Sequence, residues 1–501
     1  MPIAFVPSWM KPQRLENWRA PESQPRVLVL IVGLIMAPVM VRTTADPDLW
    51  GHLRFGLDML ETWSLPRVDP YSFTQDIPWT NHEWLSELIM AVAYKAAGSV
   101  GLVVLKSALV ATFLALVLNA YSGTPLIVRG AALLMVLWGA GSIIATLRPQ
   151  LWTLVGVALL CRVLMSVPRR SWLVRLPLLF MLWVNLHGGW IVGAGLLVVW
   201  TAGQILRPQA SRPLVAGVAV LSAAATLINP YGWHMWEFLG DTVRLSRDIS
   251  EWKPLFWFPA WDWLPWLVTM LIVGAATFSK HRPPLERLAM IAMLAYASLR
   301  VVRIAPLCVT AAVLLIRPTV ATWLPTHTLA FTPLTRAAAR GLAVALLWLA
   351  IVSGTFMTRA ATCIPITGHW APDTSAGRTL AEARLTGKIV TWFDWGQYAL
   401  WHLSPALRVS MDGRRETIYS ADLLSAHFAL YEAAPDGLIF FERLDPDYVW
   451  LPNTKGRLRE WLVSHGYRVD VQTPQSFIAV RHGWPPLRQV PASARACFPG
   501  P

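Results

Sequence analysis

Long apolar runs separated by short polar loops occupy the first two-thirds of the chain. Most of these runs approach the ~20 residues that an α-helix needs to cross the hydrocarbon core of a bilayer. We predict transmembrane helices in segments 27–41, 99–120, 130–147, 150–167, 172–186, 189–206, 213–229, 263–279, 286–303, 304–322 and 340–357. The first run also has the length of a signal peptide, but no small-residue cleavage site precedes Asp46, so we interpret it as a span. The pattern predicts a polytopic α-helical membrane protein with about eleven transmembrane helices.

The pattern changes near Arg359, where apolar stretches become shorter and begin to alternate with polar residues. Strands are predicted in segments 387–392, 408–411, 448–451 and 476–480. A helix is predicted in segment 421–433. Residues 359–501 are therefore expected to form an α/β domain. They contain no glycine-rich phosphate loop and no dinucleotide-binding fingerprint, which argues against chemistry on a soluble nucleotide.

The cationic side chains lie mainly in alternate loops. If residues 1–26 form a cytoplasmic tail, the cytoplasmic loops carry Arg129, Arg169, Arg170, Arg175, Arg207, Arg212, Lys280, Arg282, Arg287, Arg317, Arg336 and Arg340. This distribution obeys the positive-inside rule. An odd number of spans then places residues 359–501 outside the cytoplasm, where Cys363 and Cys497 could pair. We expect a multi-pass protein of the inner (plasma) membrane with a cytoplasmic N-terminus and an extracytoplasmic C-terminal domain.

The composition supports a membrane protein. Of the 501 residues, 55% are hydrophobic and only 14% are charged, which excludes an ordinary soluble protein. The 28 tryptophans suit the interface between membrane and water. The net charge of +14 would also suit nucleic acid, but most cations lie in short loops between apolar runs. Membrane lipid is therefore an expected partner, and nucleic acid is not.

The first outer loop, residues 43–98, reverses the sign of the chain. It carries eight carboxylates against three full cations. Asp46 and Asp48, one residue apart beyond a membrane helix, are suited to bind a divalent cation or to deprotonate a substrate hydroxyl. The alternative is that they cap a helix over residues 49–63. His52 would share a helical face with Asp48, so these three residues are the candidate ligands if a divalent cation is the cofactor.

A second polar cluster and an isolated arginine follow along the chain. His82, Glu83 and Glu87 are suited either to ligate a metal or to bond the loop backbone, and no cysteine or closely spaced histidine pair favours zinc. Arg148 lies between two apolar runs, where a charge is costly unless it is paired. Its partner is either a phosphate or an acidic side chain such as Glu87.

Further polar residues interrupt the apolar runs on the outer face. His187 lies in a tight turn with two glycines, and Tyr231 lies in a turn that leads into an amphipathic helix on the membrane surface. Arg300 and Arg303 would share a helical face suited to a diphosphate, unless they reach for lipid headgroups. We expect segment 394–415 to face the membrane part and to help form an acceptor site, the alternative being a domain-internal Asp–Arg pair.

Several of these motifs together resemble those of a known family. They are D-P-D-L-W-G-H-L, N-H-E-W, R-P-Q, N-L-H-G-G, N-P-Y-G and M-D-G-R. They are similar to the motifs of a family of bacterial polytopic membrane proteins whose layout resembles GT-C-type glycosyltransferases. In such enzymes the first outer loop supplies a catalytic aspartate, the sugar donor is linked to a polyprenyl phosphate, and a C-terminal extracytoplasmic domain is frequent. The resemblance implies a transmembrane GT-C-like domain over residues 27–358.

The resemblance also implies roles for the candidate residues. Asp46 or Asp48 would be the general base for an acceptor hydroxyl, and Arg148, Arg300 and Arg303 would hold the lipid phosphate. The other predicted substrate-binding residues are His52, His82, Glu83, His187 and Tyr231. The implied function is transfer of a sugar from a polyprenyl-phosphate-linked donor to an envelope acceptor on the outer face. The alternative is a non-catalytic transporter or scaffold for envelope polysaccharide assembly, although the sequence shows none of the inverted repeats typical of transporters.

Overall fold

The protein combines a long helical part with a small C-terminal sheet. The computed structural model describes residues 24–207, 211–244, 250–323, 335–491 and 496–500. Its helices, in chain order, are α1 (Gln24–Val41), α2 (Leu49–Thr62), α3 (Trp84–Ala120), α4 (Leu126–Gly139), α5 (Gly141–Ala145), α6 (Gln150–Leu164), α7 (Trp172–Leu186), α8 (Trp190–Ile205), α9 (Arg212–Ala225), α10 (His234–Arg244), α11 (Ala260–Thr277), α12 (Leu285–Arg300), α13 (Ala305–Leu315), α14 (Arg317–Val320), α15 (Arg336–Thr362), α16 (Thr374–Glu382), α17 (Gly396–Leu403), α18 (Ala421–Tyr431), α19 (Pro435–Leu444) and α20 (Gly456–Ser464). Its strands are β1 (Gly387–Thr391), β2 (Leu407–Val409), β3 (Tyr448–Pro452), β4 (Tyr467–Gln472) and β5 (Ser476–Arg481).

The helices fall on the predicted spans, but their lengths differ from the prediction. Each predicted segment contains a helix. Within the described ranges, α3, α11 and α15 are long and apolar enough to cross a membrane, and six other apolar helices are shorter, at 10–17 residues. The predicted number of eleven spans is therefore not confirmed, although the mainly helical fold with a small C-terminal sheet is as expected.

The predicted span from residue 99 begins where non-helical backbone at Ala97 and Gly98 divides α3, and the stretch from Trp84 up to this break, predicted as loop, is helical as well. Its first turns bury Met90 inside the protein. The helix is interrupted at Ala97 and Gly98, where Gly98 has a φ of +56° that residues with a side chain rarely adopt. Of the second polar cluster, Glu87 lies in the first turn of this helix and Glu83 at its N-cap.

A backbone bridge holds the acidic loop against the helical part. The Thr44 N–H donates to the carbonyl of Ala145 over 2.9 Å, within a parallel bridge between Thr44 and Thr146. The residues just after each threonine therefore lie side by side. This pairing makes Asp46 and Arg148 neighbours although about a hundred residues separate them.

Helix α2 docks the C-terminal domain onto the acidic loop. The fully buried ring of Trp50 packs against Trp370, Tyr398 and Phe498, with ring centroids 6.0, 5.3 and 5.2 Å away. Its Nε1–H donates to the carbonyl of Pro499 over 2.8 Å. Aromatic burial of this kind stabilises both elements, so the domain is fixed relative to the loop.

The C-terminal sheet has the strand order β2-β1-β3-β5-β4. β1 pairs in parallel with β2 and β3, whereas β5 is antiparallel to β3 and β4. The sequence did not predict β4, an edge strand whose charged residues Arg468 and Asp470 obscure its alternation. β2 ends at Val409 rather than at the predicted residue 411, because the chain turns there toward the acidic loop, where Thr74 donates to the carbonyl of Ser410.

Cys363 and Cys497 form a disulfide with their Cα atoms 5.2 Å apart. It joins the residue after α15 to the last described segment, next to an antiparallel bridge between Pro365 and Cys497. The pairing that the sequence left open is therefore present. It fixes residues 496–500 beside α2.

Candidate functional site

A cavity of about 1080 Å³ lies between the acidic loop, the helical part and the C-terminal domain. Its charged lining includes Asp46, Asp48, Arg148, Asp394 and Arg415. Segment 394–415 therefore faces the helical part as predicted, and the domain-internal pair of Asp412 and Arg414, given as the alternative, is present as well. On the other side, helices α4 and α11 line the cavity with Trp138 and Trp261, whose ring centroids are 6.1 Å apart. One cavity thus has a charged wall and an aromatic wall.

Arg148 is the centre of the charged wall. Its Nη2 donates to Asp48 Oδ2 over 2.9 Å, its Nη1 donates to Glu251 Oε1 over 2.7 Å, and its Nε lies 3.1 Å from Asp46 Oδ1. Of the two predicted kinds of partner, the structure holds carboxylates. The named example Glu87 is wrong, because that side chain points to His52 and Asn81 instead.

The side chain of Asp48 does not cap helix α2. Asp48 stands at the N-cap position, but its carboxylate makes no capping hydrogen bond and turns to Arg148. Asp46 accepts a hydrogen bond from the backbone N–H of Asp48 over 2.9 Å, which closes a local turn. The side chain of Asp48 is 28% exposed and that of Asp46 is 7% exposed, so Asp48 is the carboxylate that a molecule in the cavity would meet.

The surroundings of Asp48 keep its proton affinity high. Burial, together with the nearby carboxylates of Asp46 and Glu251, raises the pKa of Asp48 to about 6, against the opposing charges of Arg148 and His52. A carboxylate with this pKa is ionised at neutral pH and is a better proton acceptor than an ordinary aspartate. Geometry and protonation therefore both suit a general base.

The second polar cluster lies around Glu83, at the N-terminus of α3. Three imidazole nitrogens surround its carboxylate: His82 Nε2 at 3.5 Å, His187 Nε2 at 3.4 Å and His52 Nδ1 at 3.8 Å. His52 Nδ1 also bonds Glu87 Oε1 over 3.0 Å. His52 thus stands one helical turn after Asp48, as predicted, and connects the two clusters.

The protonation of this cluster follows from its contacts. Burial lowers the pKa of His52, but the hydrogen bond to Glu87 and the charge of Glu83 outweigh it and raise that pKa to about 9. Burial alone would raise the pKa of Glu83, yet the surrounding histidines bring it down to about 2. Burial lowers the pKa of His187 to about 3. The Gly189 N–H donates to His187 Nδ1, so the proton of this neutral ring is on Nε2, facing Glu83.

His52, Glu83 and Glu87 can also hold a metal ion. One donor atom from each lies within 4.8 Å of the others. An imidazole with two carboxylates fits a divalent ion such as Mn²⁺ or Zn²⁺. Among the described residues, the predicted trio of Asp46, Asp48 and His52 does not form such a group, and both aspartates pair with Arg148.

The two outer arginines separate in the structure. Arg303 lines the cavity, and its Nη1 lies 3.3 Å from Glu251 Oε2. Arg300 is exposed at the last residue of α12 and does not line the cavity. The prediction that they share one helical face is wrong, because the extended backbone of Val301 (φ −140°) ends the helix between them.

Two other predicted residues lie behind the cavity wall. Tyr231 accepts a hydrogen bond from the Asn81 N–H over 2.8 Å, and the guanidinium of Arg67 lies 4.4 Å above its ring. His187 bonds Thr153 over 2.7 Å and reaches the cavity through Glu83. Tyr231 and His187 do not line the cavity, but each contacts a residue that does.

Several lining residues were not among the predicted site residues. Glu251 bridges Arg148 and Arg303, yet it lies in a stretch that also carries Arg244, Arg247, Asp248 and Lys253 and matches no recognisable motif. Gln397 and Gly413 belong to the segment expected to face the membrane part, but neither carries a charge that would single it out. The charge of Glu251 was therefore no signal, because several of its sequence neighbours are charged as well.

No family model and no curated protein matches the chain. Among solved structures it is similar to ArnT from Cupriavidus metallidurans bound to undecaprenyl phosphate, with 12% identity, a TM-score of 0.53, and 92% of this chain and 98% of that chain covered. It is also similar to the apo state of the same protein, with 14% identity, a TM-score of 0.54, and 91% and 98% covered. At this identity the similarity shows the fold alone. ArnT is a GT-C glycosyltransferase, so the predicted likeness to a multi-pass GT-C membrane fold is confirmed at the level of the fold.

Proposed function

We propose that this protein is a membrane glycosyltransferase that moves a sugar from a polyprenyl-phosphate-linked donor to a hydroxyl of an envelope acceptor on the outer face. The observation that carries the proposal is the pairing of a partly exposed, weakly acidic Asp48 with Arg148 in a cavity shared by both parts of the protein. The similarity to a fold that binds undecaprenyl phosphate in ArnT supports this donor class.

The charged wall is suited to each step of such a transfer. Asp48 removes the proton of the acceptor hydroxyl, whose oxygen attacks the anomeric carbon while the bond from that carbon to the phosphate oxygen breaks. The leaving phosphate keeps the bonding electrons, and the charges of Arg148 and Arg303 stabilise it. Glu251 bridges these two arginines, so its carboxylate marks the position that we assign to the donor phosphate. The aromatic wall of α4 and α11 would receive the polyprenyl chain.

A divalent cation, where bound, would be held by His52, Glu83 and Glu87 and would supply positive charge beside the reacting groups. In its absence the His52 imidazolium lies between the carboxylates of Glu83 and Glu87. In either case Asp48 is the proposed base, and both aspartates pair with Arg148.

We predict that sugar transfer is lost in acid as Asp48 becomes protonated. A general base acts only when deprotonated, and the pKa of Asp48 is raised to about 6, so kcat/KM should be half-maximal near that pH. Below it, kcat/KM should fall about tenfold per pH unit. Initial rates measured in membranes across this range test the prediction. A rate that stays constant well below pH 6 would contradict the role of Asp48.

The proposed orientation predicts the activity of two reporter fusions. A reporter that works only outside the cytoplasm should be active when fused after Met357 and silent when fused after Arg282, because cations fill the loops on the Arg282 side. The disulfide between Cys363 and Cys497 supports the same orientation, since disulfides persist in oxidising compartments. Fusion levels are compared on immunoblots. A silent reporter after Met357 would place the C-terminal domain in the cytoplasm and contradict the proposed orientation.

A further inference from the structure

The C-terminal domain forms the surface against which the Asp48 carboxylate rests. One oxygen, Oδ2, accepts a hydrogen bond from Arg148. The other, Oδ1, faces Gly413: a Cβ added at Gly413 would lie less than 3.0 Å from Asp48 Oδ1 and from Gln397 Nε2. The lack of a side chain at position 413 therefore creates the space that Asp48 occupies.

Gln397 lies beside this space in a defined orientation. Its side chain is buried, and its Oε1 accepts a hydrogen bond from the Gly51 N–H over 3.1 Å. Because the oxygen is used by Gly51, the amide nitrogen is the atom next to Gly413. A Cβ at Gly51 would overlap Gln397 Oε1, so a side chain there would displace the end of Gln397 between α2 and α17.

The position of Gly413 is fixed by the residue that follows it. The Arg414 guanidinium donates two hydrogen bonds to Asp69, of 2.7 and 2.8 Å, and two to Asp412, of 2.9 and 2.6 Å. It is buried, and the rings of Phe55 and Trp79 each lie 4.8 Å from it. A guanidinium held by two carboxylates and two rings has little freedom to move. The surface next to Asp48 is therefore rigid.

We propose that Gly413 and Gln397 are positioning residues, which hold the Asp48 carboxylate between Arg148 and the C-terminal domain so that it faces the acceptor hydroxyl. Proton transfer requires the base to be within hydrogen-bond reach of the hydroxyl, so the placement of one carboxylate by the second domain sets the rate. This role rests on the proposed function for its effect on rate, but the contact itself is testable without any activity.

Gly413→Ala is the central variant. Gly413 is not among the glycines with a positive φ, and a new methyl group there would first meet the ends of the Asp48 and Gln397 side chains, so the fold should survive. Gly456→Ala is the matched control, because nothing lies within 4 Å of a Cβ at Gly456 in the same domain. We expect kcat to fall by ~10- to 100-fold in Gly413→Ala, with an unchanged KM for the donor, as for a misplaced catalytic group. The control should match the wild type.

A second measurement needs no sugar transfer. A water-soluble carbodiimide modifies carboxyl groups, and peptide mass spectrometry gives its rate at Asp48 at one fixed pH. We expect this rate to change several-fold in Gly413→Ala and not in Gly456→Ala, because only the first displaces Asp48 from Arg148. If the wild type transfers no sugar, the proposed function is rejected. A changed modification rate at Asp48 in Gly413→Ala would still support the contact between Gly413 and Asp48.

Gln397→Glu covers the case in which Gly413→Ala does not fold. It keeps the side-chain length and an oxygen for the Gly51 amide, but it replaces the amide nitrogen next to Gly413 by a second carboxylate oxygen. We expect a similar loss of kcat and a changed modification rate at Asp48. Wild-type values of both quantities in Gln397→Glu, or in a folded Gly413→Ala, would overturn the positioning role.

Discussion

Replacing Asp48 by asparagine is expected to reduce sugar transfer by ~10²- to 10⁴-fold, the usual cost of removing a general base. Asparagine keeps the shape of the side chain, but its amide is neutral and does not accept the acceptor proton. Folding should survive, because Arg148 retains Asp46 and Glu251 and because the Asp48 side chain makes no capping hydrogen bond that could be lost. The assay follows radiolabelled sugar from a polyprenyl-phosphate donor into a lipid or envelope product, in membranes with equal amounts of each variant.

Two further variants make this result interpretable. Asp46→Asn distinguishes the role of Asp46 from that of Asp48. Asp46 is buried and its carboxylate accepts a hydrogen bond from the Asp48 N–H, so we expect a smaller loss of activity in this variant. Asp58→Asn is the control, because Asp58 lies on the same helix, pairs with Arg54 and does not line the cavity. Full activity in Asp48→Asn, Asp46→Asn and the double variant would remove the chemistry from this loop. The transporter or scaffold alternative would then lead.

The second large effect is expected for stability, in Arg414→Met. The guanidinium neutralises Asp69 and Asp412, both of which are buried. Removing one partner of a buried ionic network leaves uncompensated charge and typically costs about 3–5 kcal/mol. We expect a lower melting temperature in detergent and faster proteolysis of the C-terminal domain.

Comparison variants separate charge from packing. Arg378→Met removes an exposed ion pair with Glu382 in the same domain and should cost at most about 1 kcal/mol. Adding Asp69→Asn and Asp412→Asn to Arg414→Met removes the uncompensated charge and should recover part of the lost stability. An Arg414→Met protein that melts like the wild type would show that the domain docks without this network.

The sequence was sufficient to locate the charged residues but not to pair them. Arg148 was expected to need a partner because a charge between apolar runs is costly, and this reasoning was correct. Its partner Glu251 lies 103 positions away on a loop, and no spacing rule connects them. The helical spacing of Arg300 and Arg303 was equally misleading. The helix ends at Arg300 because Val301 is extended, so the two side chains do not share a helical face.

Contacts made by backbone were the least predictable from sequence. A glycine gives no sign of which side chain fills the space beside it, so neither Gly413 nor Gly51 could be linked to Asp48 or Gln397. The apolar runs, by contrast, marked the helices because burial or lipid contact dictates composition over many residues. The break at Ala97 and Gly98 coincides with the predicted start of the span at residue 99.

The contact between Gly413 and Asp48 also limits how proteins of this architecture can be recombined. A chimera that takes its C-terminal domain from a relative must bring a residue without a side chain at position 413 and an amide that can reach Gly51. A domain lacking these features could still dock through its aromatic contacts with Trp50 while leaving the carboxylate misaligned. Under the proposed function, a change of acceptor preference would therefore have to evolve together with the alignment of Asp48, and not by exchange of an independent module.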